Sequence, residues 1–380
     1  MEVKKILYIS DVNSNEPIFH SQVLPHYKEL NKNFEIKLLV LGRGEEADYD
    51  YYYNSVKGDY FYFLAKGNYK KEKARLSTFL KKNTFDLIYS RGTRGGLLGT
   101  IIKNDYYNGN IALVNDVRAD VIDEHKDNIL NKNIFHHSNK KIFKNADILF
   151  LVSHFLKNKV CNKYNFSQGQ SFVFPTFVPD EKFNFKMANR ILLRREMNIL
   201  DQDIVLLYSG NLATWQNIEV ILDAFSKTLN KSLKMIFLTK EQGIYELIKK
   251  YGIEDNRIRI KSVEYAKIEA YYHAADFGLL IRDNTDTNKS AAPTKFSEYV
   301  NSGLSVIINS IEADYVIDFS NKNLSGFLLE SKHDLLNCFN KLSSTDVKRN
   351  VVEINTLKTI VNNQTDILLE LLENFGNRQK

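Results

Sequence analysis

Cysteine is almost missing from the sequence: Cys161 and Cys338 are the only two in 380 residues, and neither has a Cys or His at metal-ligand spacing. A disulfide framework and a structural zinc site are thereby excluded, and a reducing compartment is expected. Long hydrophobic runs are missing too, since no apolar stretch approaches the roughly 18 residues that a membrane span needs. The opening Met1-Glu2-Val3-Lys4-Lys5 leads into an apolar stretch that meets Asp11 before it could act as a signal-peptide core, so a cytoplasmic location is expected. Neither sign of charge dominates: 52 Lys and Arg face 46 Asp and Glu, a net of +6, too mild to imply nucleic acid as a partner. No short repeat or low-complexity tract occurs, which sets solenoids aside. Core material is plentiful. At 43% hydrophobic and 12% aromatic residues the chain cannot be mainly disordered, and its length predicts two domains.

Short apolar runs at 6–10, 34–41, 86–90, 111–115 and 147–153 suit strands buried on both faces. Between them Val23, Tyr27 and Leu30, then Leu76, Phe79 and Leu80, then Leu97, Leu98, Ile101 and Ile102 repeat at helical spacing. Alternating strands and helices predict a parallel, helix-covered sheet. The run 171–174 leads into Pro175-Thr-Phe-Val-Pro179, two of only five prolines, where neither a helix nor a central strand is tolerated; this is the expected linker. The pattern then restarts at 204–209, 234–239, 257–260, 276–281, 304–309 and 326–330. Two similar α/β halves follow, with a helical tail from about residue 343. Such domains bind ligands at the carboxyl ends of their strands, here in a crevice between the halves.

Several motifs carry little. Gly42-Arg-Gly44-Glu-Glu-Ala47 fits a relaxed dinucleotide fingerprint, but Asp48-Tyr-Asp-Tyr-Tyr-Tyr53 is no amphipathic helix, and a turn is the better reading. Gly92-Thr-Arg-Gly95-Gly96 has the wrong spacing and fits close packing of loop on helix. Asp48-Tyr-Asp50 and Asp201-Gln-Asp203 match the pair that holds a divalent metal on a sugar nucleotide, yet so short a pair arises by chance, and the second precedes a strand. No metal and no cofactor are assigned. His20, His26, His125, His154, His273 and the pair His136-His137 lack partner ligands in sequence and read as surface or core residues.

One segment is denser in signal. An apolar strand ends at Arg282, a polar loop follows, and Pro293 stands where the first turn of a helix tolerates it. That helix runs to about Ser302 and stops at Gly303, which can take a left-handed cap. Its free N-terminal amides make a phosphate site. Lys295 and Glu298 lie three apart on one face, suiting a nucleoside diphosphate whose ribose hydroxyls meet the carboxylate; a solvated Lys–Glu pair is the equal alternative.

Residues 292–307, with Pro293, Lys295, Glu298, Tyr299 and Gly303, resemble the nucleotide-sugar signature of glycosyltransferase family 4. Tyr208-Ser-Gly210-Asn-Leu212, Val152-Ser153 and Phe174-Pro175 match further along the family pattern, and Ser21-Gln22-Val23 and Asp116-Val-Arg118 resemble acceptor-side loops of bacterial members. The resemblance implies the GT-B fold: an α/β chain of two doubly wound Rossmann-like domains facing across a cleft. These would be 1–177 on the acceptor side and 178–380 for the nucleotide sugar, with the tail from about 343 packing back on the first. It implies a retaining enzyme without a required metal, and a nucleoside diphosphate sugar, UDP-linked, as donor. The sequence departs from the pattern at Ser290, where a Glu is common, at Asn211 and Gln216, where a basic pair is common, and at Asn115, where a His is common. Arg282 and Lys295 remain as cations for the diphosphate, with Gly210, Asn211, Ser290, Ala292, Pro293 and Thr294 around it and Glu298 on the ribose. On the acceptor side stand Gln22, Arg118 and Asp116, the last a candidate proton acceptor or else half of a structural Asp–Arg pair.

The expected activity is transfer of a sugar to a bacterial glycan or a lipid-linked acceptor in polysaccharide or cell-envelope synthesis. A sugar-nucleotide epimerase or hydrolase of the same fold, and a non-catalytic scaffold, are the alternatives. Residues 66–82 hold Lys66, Lys70, Lys71, Lys73, Arg75, Lys81 and Lys82 against the single acid Glu72, beside an aromatic stretch at 51–63. They read either as a peripheral contact with an anionic inner leaflet or as a solvated helix with Leu76, Phe79 and Leu80 inward.

Overall fold

The computed structural model describes residues 4–12, 16, 18–42, 60–64, 69–120, 129–179, 182–350 and 352–378, with the backbone alone at 60–64, 69, 70, 129 and 378. The motifs at 43–53, His125 and Lys66 therefore lie outside the described residues, as does the side chain of Lys70. The chain divides into two compact units, 1–179 with 356–380, and 180–355.

In the first unit the strands are β1 (Lys5–Ser10), β2 (Glu35–Gly42), β3 (Tyr60–Leu64), β4 (Leu87–Arg91), β5 (Ala112–Val117), β6 (Ile148–Leu151) and β7 (Ser171–Val173). They form one parallel sheet in the order β3-β2-β1-β4-β5-β6-β7. Because successive side chains point to opposite faces, Ile6 and Tyr8 join one core while Leu7 and Ile9 join the other. Both faces are covered, which is why the strands read as unbroken apolar runs. The C-terminal helix Leu357–Arg378 belongs here, and Leu357, Ile360, Val361, Leu368 and Leu372 enter the same core as Tyr8 and Tyr89. Burying side chains such as Val361 and Leu368 contributes about 1.5–3 kcal/mol each before entropy is counted. Residues 343–355 stay with the second unit, and the chain returns at the bridge between Val178 and Thr356.

The second unit repeats the scheme with β8 (Ile204–Ser209), β9 (Leu233–Leu238), β10 (Ile258–Lys261), β11 (Phe277–Leu280), β12 (Ser305–Asn309) and β13 (Gly326–Leu329). Its parallel order is β10-β9-β8-β11-β12-β13. In each unit the order reverses direction between the first and fourth strands, β1 with β4 and β8 with β11. Ligands bind outside the carboxyl ends of strands at such a reversal.

Two elements differ from the sequence reading. Strand β3 lies in the stretch read as interfacial aromatics. The loop after β11, read as wholly polar coil, contains a short helix Asp286–Ser290 whose cap is Thr285, accepting from the Asn288 amide. The helix expected over the basic segment is present as Tyr69–Lys82, with Leu76 and Leu80 buried and Lys71, Lys73, Lys81 and Lys82 exposed. Among the described residues no helix is long and apolar enough to cross a membrane.

Candidate functional site

In the second unit the residues singled out from sequence gather at the carboxyl ends of β8 and β11. The helix Thr294–Asn301 starts with Pro293 at its N-cap and ends before Gly303, which takes φ +78°, so its first amides point away from the sheet at the strand ends. On its first turn, Lys295 places Nζ 3.0 Å from Gln216 Oε1 and 3.3 Å from Tyr208 Oη, and 4.5 Å above the Tyr208 ring. Gly210, at φ +145°, lets this happen, since a Cβ there would run into the Lys295 ammonium. The backbone carbonyl of Asn211 accepts from Tyr208 Oη at 2.7 Å, which sets the loop that follows β8.

Arg282 leaves the end of β11 and is buried at 8% exposure, although among the described residues no carboxylate is paired with its guanidinium. Its backbone is bracketed by Asn309 at the end of β12, which accepts from the Arg282 amide at 2.7 Å and donates to its carbonyl at 2.8 Å. Asn288, on the short helix, accepts from Nη1 at 3.3 Å and donates to the Asp283 carbonyl at 2.9 Å. Nε remains without a partner, as does the buried hydroxyl of Tyr315. Burial, only partly offset by neighbouring tyrosines, pulls the guanidinium below its ordinary pKa. Burial first, and Arg282 second, hold Lys295 well below the usual lysine value.

Glu298 lies one turn beyond Lys295 and is 5% exposed. Its Oε2 accepts from Tyr272 Oη at 2.9 Å. Burial raises its pKa against the opposing pull of that bond, Lys182 and Lys295. Lys182 sits 3.2 Å over the Tyr265 ring, donates to the Tyr265 carbonyl at 2.8 Å and is pushed down to about 8 by burial. Two close cations thus face one carboxylate whose charged form is itself disfavoured. A buried surplus of positive charge is costly unless an anion completes it. Ser290 is buried at 1%, and Ala292, Pro293 and Thr294 line the start of the helix, partly buried.

Gln22, Asp116 and Arg118 belong to the first unit, where Asp116 and Arg118 form a cluster with Arg91. Gln22 lies on a π-helical turn, Phe19–Val23, where Nε2 donates to the Phe177 carbonyl at 2.7 Å and Oε1 has no partner. Asp116 Oδ2 accepts from Tyr89 Oη at 3.1 Å and Arg91 Nη1 at 3.3 Å, with Arg118 Nε 3.4 Å away. The carboxylate is therefore shared between two cations, more than the single Asp–Arg pair foreseen. Asp203, of the second Asp-x-Asp pair, accepts from the Leu200 amide at 2.8 Å and closes a turn.

Sequence reasoning missed Tyr272, Lys182, Asn288 and Asn309 in the second unit, and Arg91 in the first. Arg91 had a signal: like Arg282 it is a cation ending an apolar strand. Tyr272 had none, since only the fold brings it to Glu298, 26 residues away.

Residues 189–358 match the family model of glycosyl transferases group 1. No curated protein sequence is significantly similar to this chain. Among solved structures, Anabaena HepE in complex with UDP and glucose superposes with TM-score 0.74 at 13% identity, over 97% of this chain and 100% of that one. Sucrose-phosphate synthase from Thermosynechococcus elongatus gives 0.70 at 12% identity, over 97% and 99%. A glycosyltransferase from Rickettsia africae gives 0.68 at 15%, over 98% and 100%. Residues 189–358 thus resemble a glycosyl transferase group 1 domain, within a chain whose fold is that of the GT-B glycosyltransferases.

Proposed function

We propose that the chain is a retaining glycosyltransferase of family 4, which moves a sugar from a nucleoside diphosphate, UDP, to a bacterial glycan or lipid-linked acceptor. The observation that carries this reading is the pair Arg282 and Lys295, buried at the carboxyl ends of the strands and hydrogen-bonded, among the described residues, to neutral groups. The pair has the charge a diphosphate needs, and the first amides of the helix Thr294–Asn301 add donors. The HepE structures, of the same fold, hold UDP, UDP with glucose, or UDP-glucose.

In the reaction, the bond between the anomeric carbon and the β-phosphate oxygen breaks, and negative charge grows on the diphosphate. Arg282 and Lys295, already in place, stabilise that charge without reorganisation. The acceptor hydroxyl forms the new bond on the face the diphosphate leaves, and its proton passes to the departing phosphate oxygen. No metal or cofactor enters this scheme, because the two cations and the helix amides carry the charge. Glu298 orients the ribose through its hydroxyls. Docking of the helix Tyr69–Lys82 on an anionic leaflet would bring a lipid-linked acceptor within reach, and co-sedimentation with anionic vesicles at low and high salt tests it.

The test of the whole reading is incubation with a panel of sugar nucleotides, following nucleotide release with and without glycan acceptors and the anomeric configuration of the product. Acceptor-dependent release with retained configuration is expected. An isomerised or hydrolysed donor formed without acceptor would replace the reading by an epimerase or hydrolase. Binding without turnover of any donor would replace it by a scaffold.

A further inference from the structure

The cluster in the first unit sets two guanidiniums against one directly paired carboxylate. Register pairs Arg91 with Asp116 on β4 and β5, and Arg118 follows at the end of β5, so two guanidiniums converge on one carboxylate oxygen. Arg91 is 3% and Asp116 1% exposed, while the Arg118 side chain keeps 15% exposure. Three buried atoms lack a hydrogen-bond partner: Arg91 Nε, Arg118 Nε and Asp116 Oδ1, and Gln22 Oε1 is a fourth. Asp11, the next acid, also acts on Arg91 through its charge and accepts from the Arg94 amide at 3.3 Å at the start of the helix Gly92–Tyr107. His26 adds no charge. It sits between Tyr8 Oη at 3.0 Å and Gln364 Oε1 at 2.6 Å, and burial pushes it down to about 4. Burial and the charge of Arg91 also pull Arg118 below its ordinary value.

A triad of this kind, held only for stability, would have its donors satisfied, because a buried guanidinium N–H without an acceptor is costly. Here the unmet donors stand at the reversal of strand order, where this fold takes ligands. We propose that Arg91 and Arg118 form an oxyanion subsite, so that the acceptor carries a phosphate or carboxylate group and is not a neutral glycan. The oxyanion accepts from Arg91 Nε and from the Arg118 guanidinium, sharing the two cations with Asp116. Asp116 Oδ1 then accepts from a sugar hydroxyl beside it. Asp116 holds the two cations in place, a positioning residue for the acceptor. This inference rests on the glycosyltransferase reading for its word acceptor, but the subsite itself is a claim about the first unit alone.

The test is calorimetric titration of the full chain, with UDP saturating so that Arg282 and Lys295 are occupied, using glucose 6-phosphate, glucuronate and glucose as probes. Either anionic probe should bind while glucose does not, and the stronger of the two names phosphate or carboxylate as the group recognised. Arg118→Gln should weaken that binding at least about tenfold, as for loss of a charge-assisted bond, with UDP affinity unchanged. Arg118→Lys, which restores the charge in the same fold, should recover part of it. Glucose binding as well as the anions, binding of no anion by a protein that binds UDP, or full anion binding in Arg118→Gln would each overturn the subsite. A wild-type chain that fails to bind UDP would overturn the donor reading instead. The anion titration then stands without UDP, and loss in Arg118→Gln but not in Lys295→Met still supports the subsite.

Discussion

Replacing Lys295 by Met should leave the free protein about as stable as before and yet cost it most of its nucleotide affinity. In the free protein the ammonium contacts only neutral acceptors, Gln216 Oε1 at 3.0 Å and Tyr208 Oη at 3.3 Å, and the Tyr208 ring. Burial and Arg282 disfavour its charged form. Two ordinary hydrogen bonds contribute about 1 kcal/mol each, and removing a cation beside Arg282 returns a similar amount, so the melting temperature should move by no more than about 2–4 °C. With a diphosphate present the balance changes, because the charge is then paired. Losing that contact costs about 2–3 kcal/mol, roughly 30- to 150-fold in the dissociation constant of UDP. Pairing also restores the ordinary lysine state, so UDP binding should take up a proton, and affinity should fall as pH rises through the lowered value of the free protein. Titrations in two buffers of different ionisation heat read that uptake, which Lys295→Met should lack. Unchanged UDP affinity in the variant, or a large drop in melting temperature, would show Lys295 to be a structural cation and refute the reasoning.

Three further outcomes are expected. Glu298→Gln should weaken UDP binding by about 1.5–3 kcal/mol, and Tyr272→Phe, which removes only the partner of that carboxylate, by less; equal losses would mean that Glu298 acts through the fold. Gly210→Ala, which forces a Cβ against the Lys295 ammonium at φ +145°, should lower UDP affinity more than stability, and calorimetry with a thermal melt decides between them. His26, near 6.5 when unfolded and about 4 when folded, should make stability fall as pH drops through that window, by up to about 3 kcal/mol, because the unfolded state takes the proton first. Urea denaturation at stepped pH checks it, and a His26→Phe variant with the same slope as the wild type would contradict it.

The strands were legible wherever burial on both faces made them continuous apolar runs, and 204–209 coincides with β8. Strand β3, Tyr60–Leu64, was not, because five consecutive aromatic or apolar residues have no period to distinguish a sheet edge from a membrane interface. The helix Asp286–Ser290 is too short for any hydrophobic periodicity and rests on the cap at Thr285. Arg282 and Lys295 could be found because each sits at an element boundary that local sequence marks, a strand end and a helix start. Their surroundings could not, since Tyr208, Gln216, Asn309 and Tyr272 reach the site through sheet order and not through spacing. Gln216 shows how far local reading goes. By resemblance a cation was expected on the loop after β8, and its absence at position 216 counted against activity. The fold instead brings the ammonium of Lys295 to within 3.0 Å of the Gln216 side chain. Position 216 is therefore not without a cation beside it, since a side chain 79 residues further on brings an ammonium to its amide.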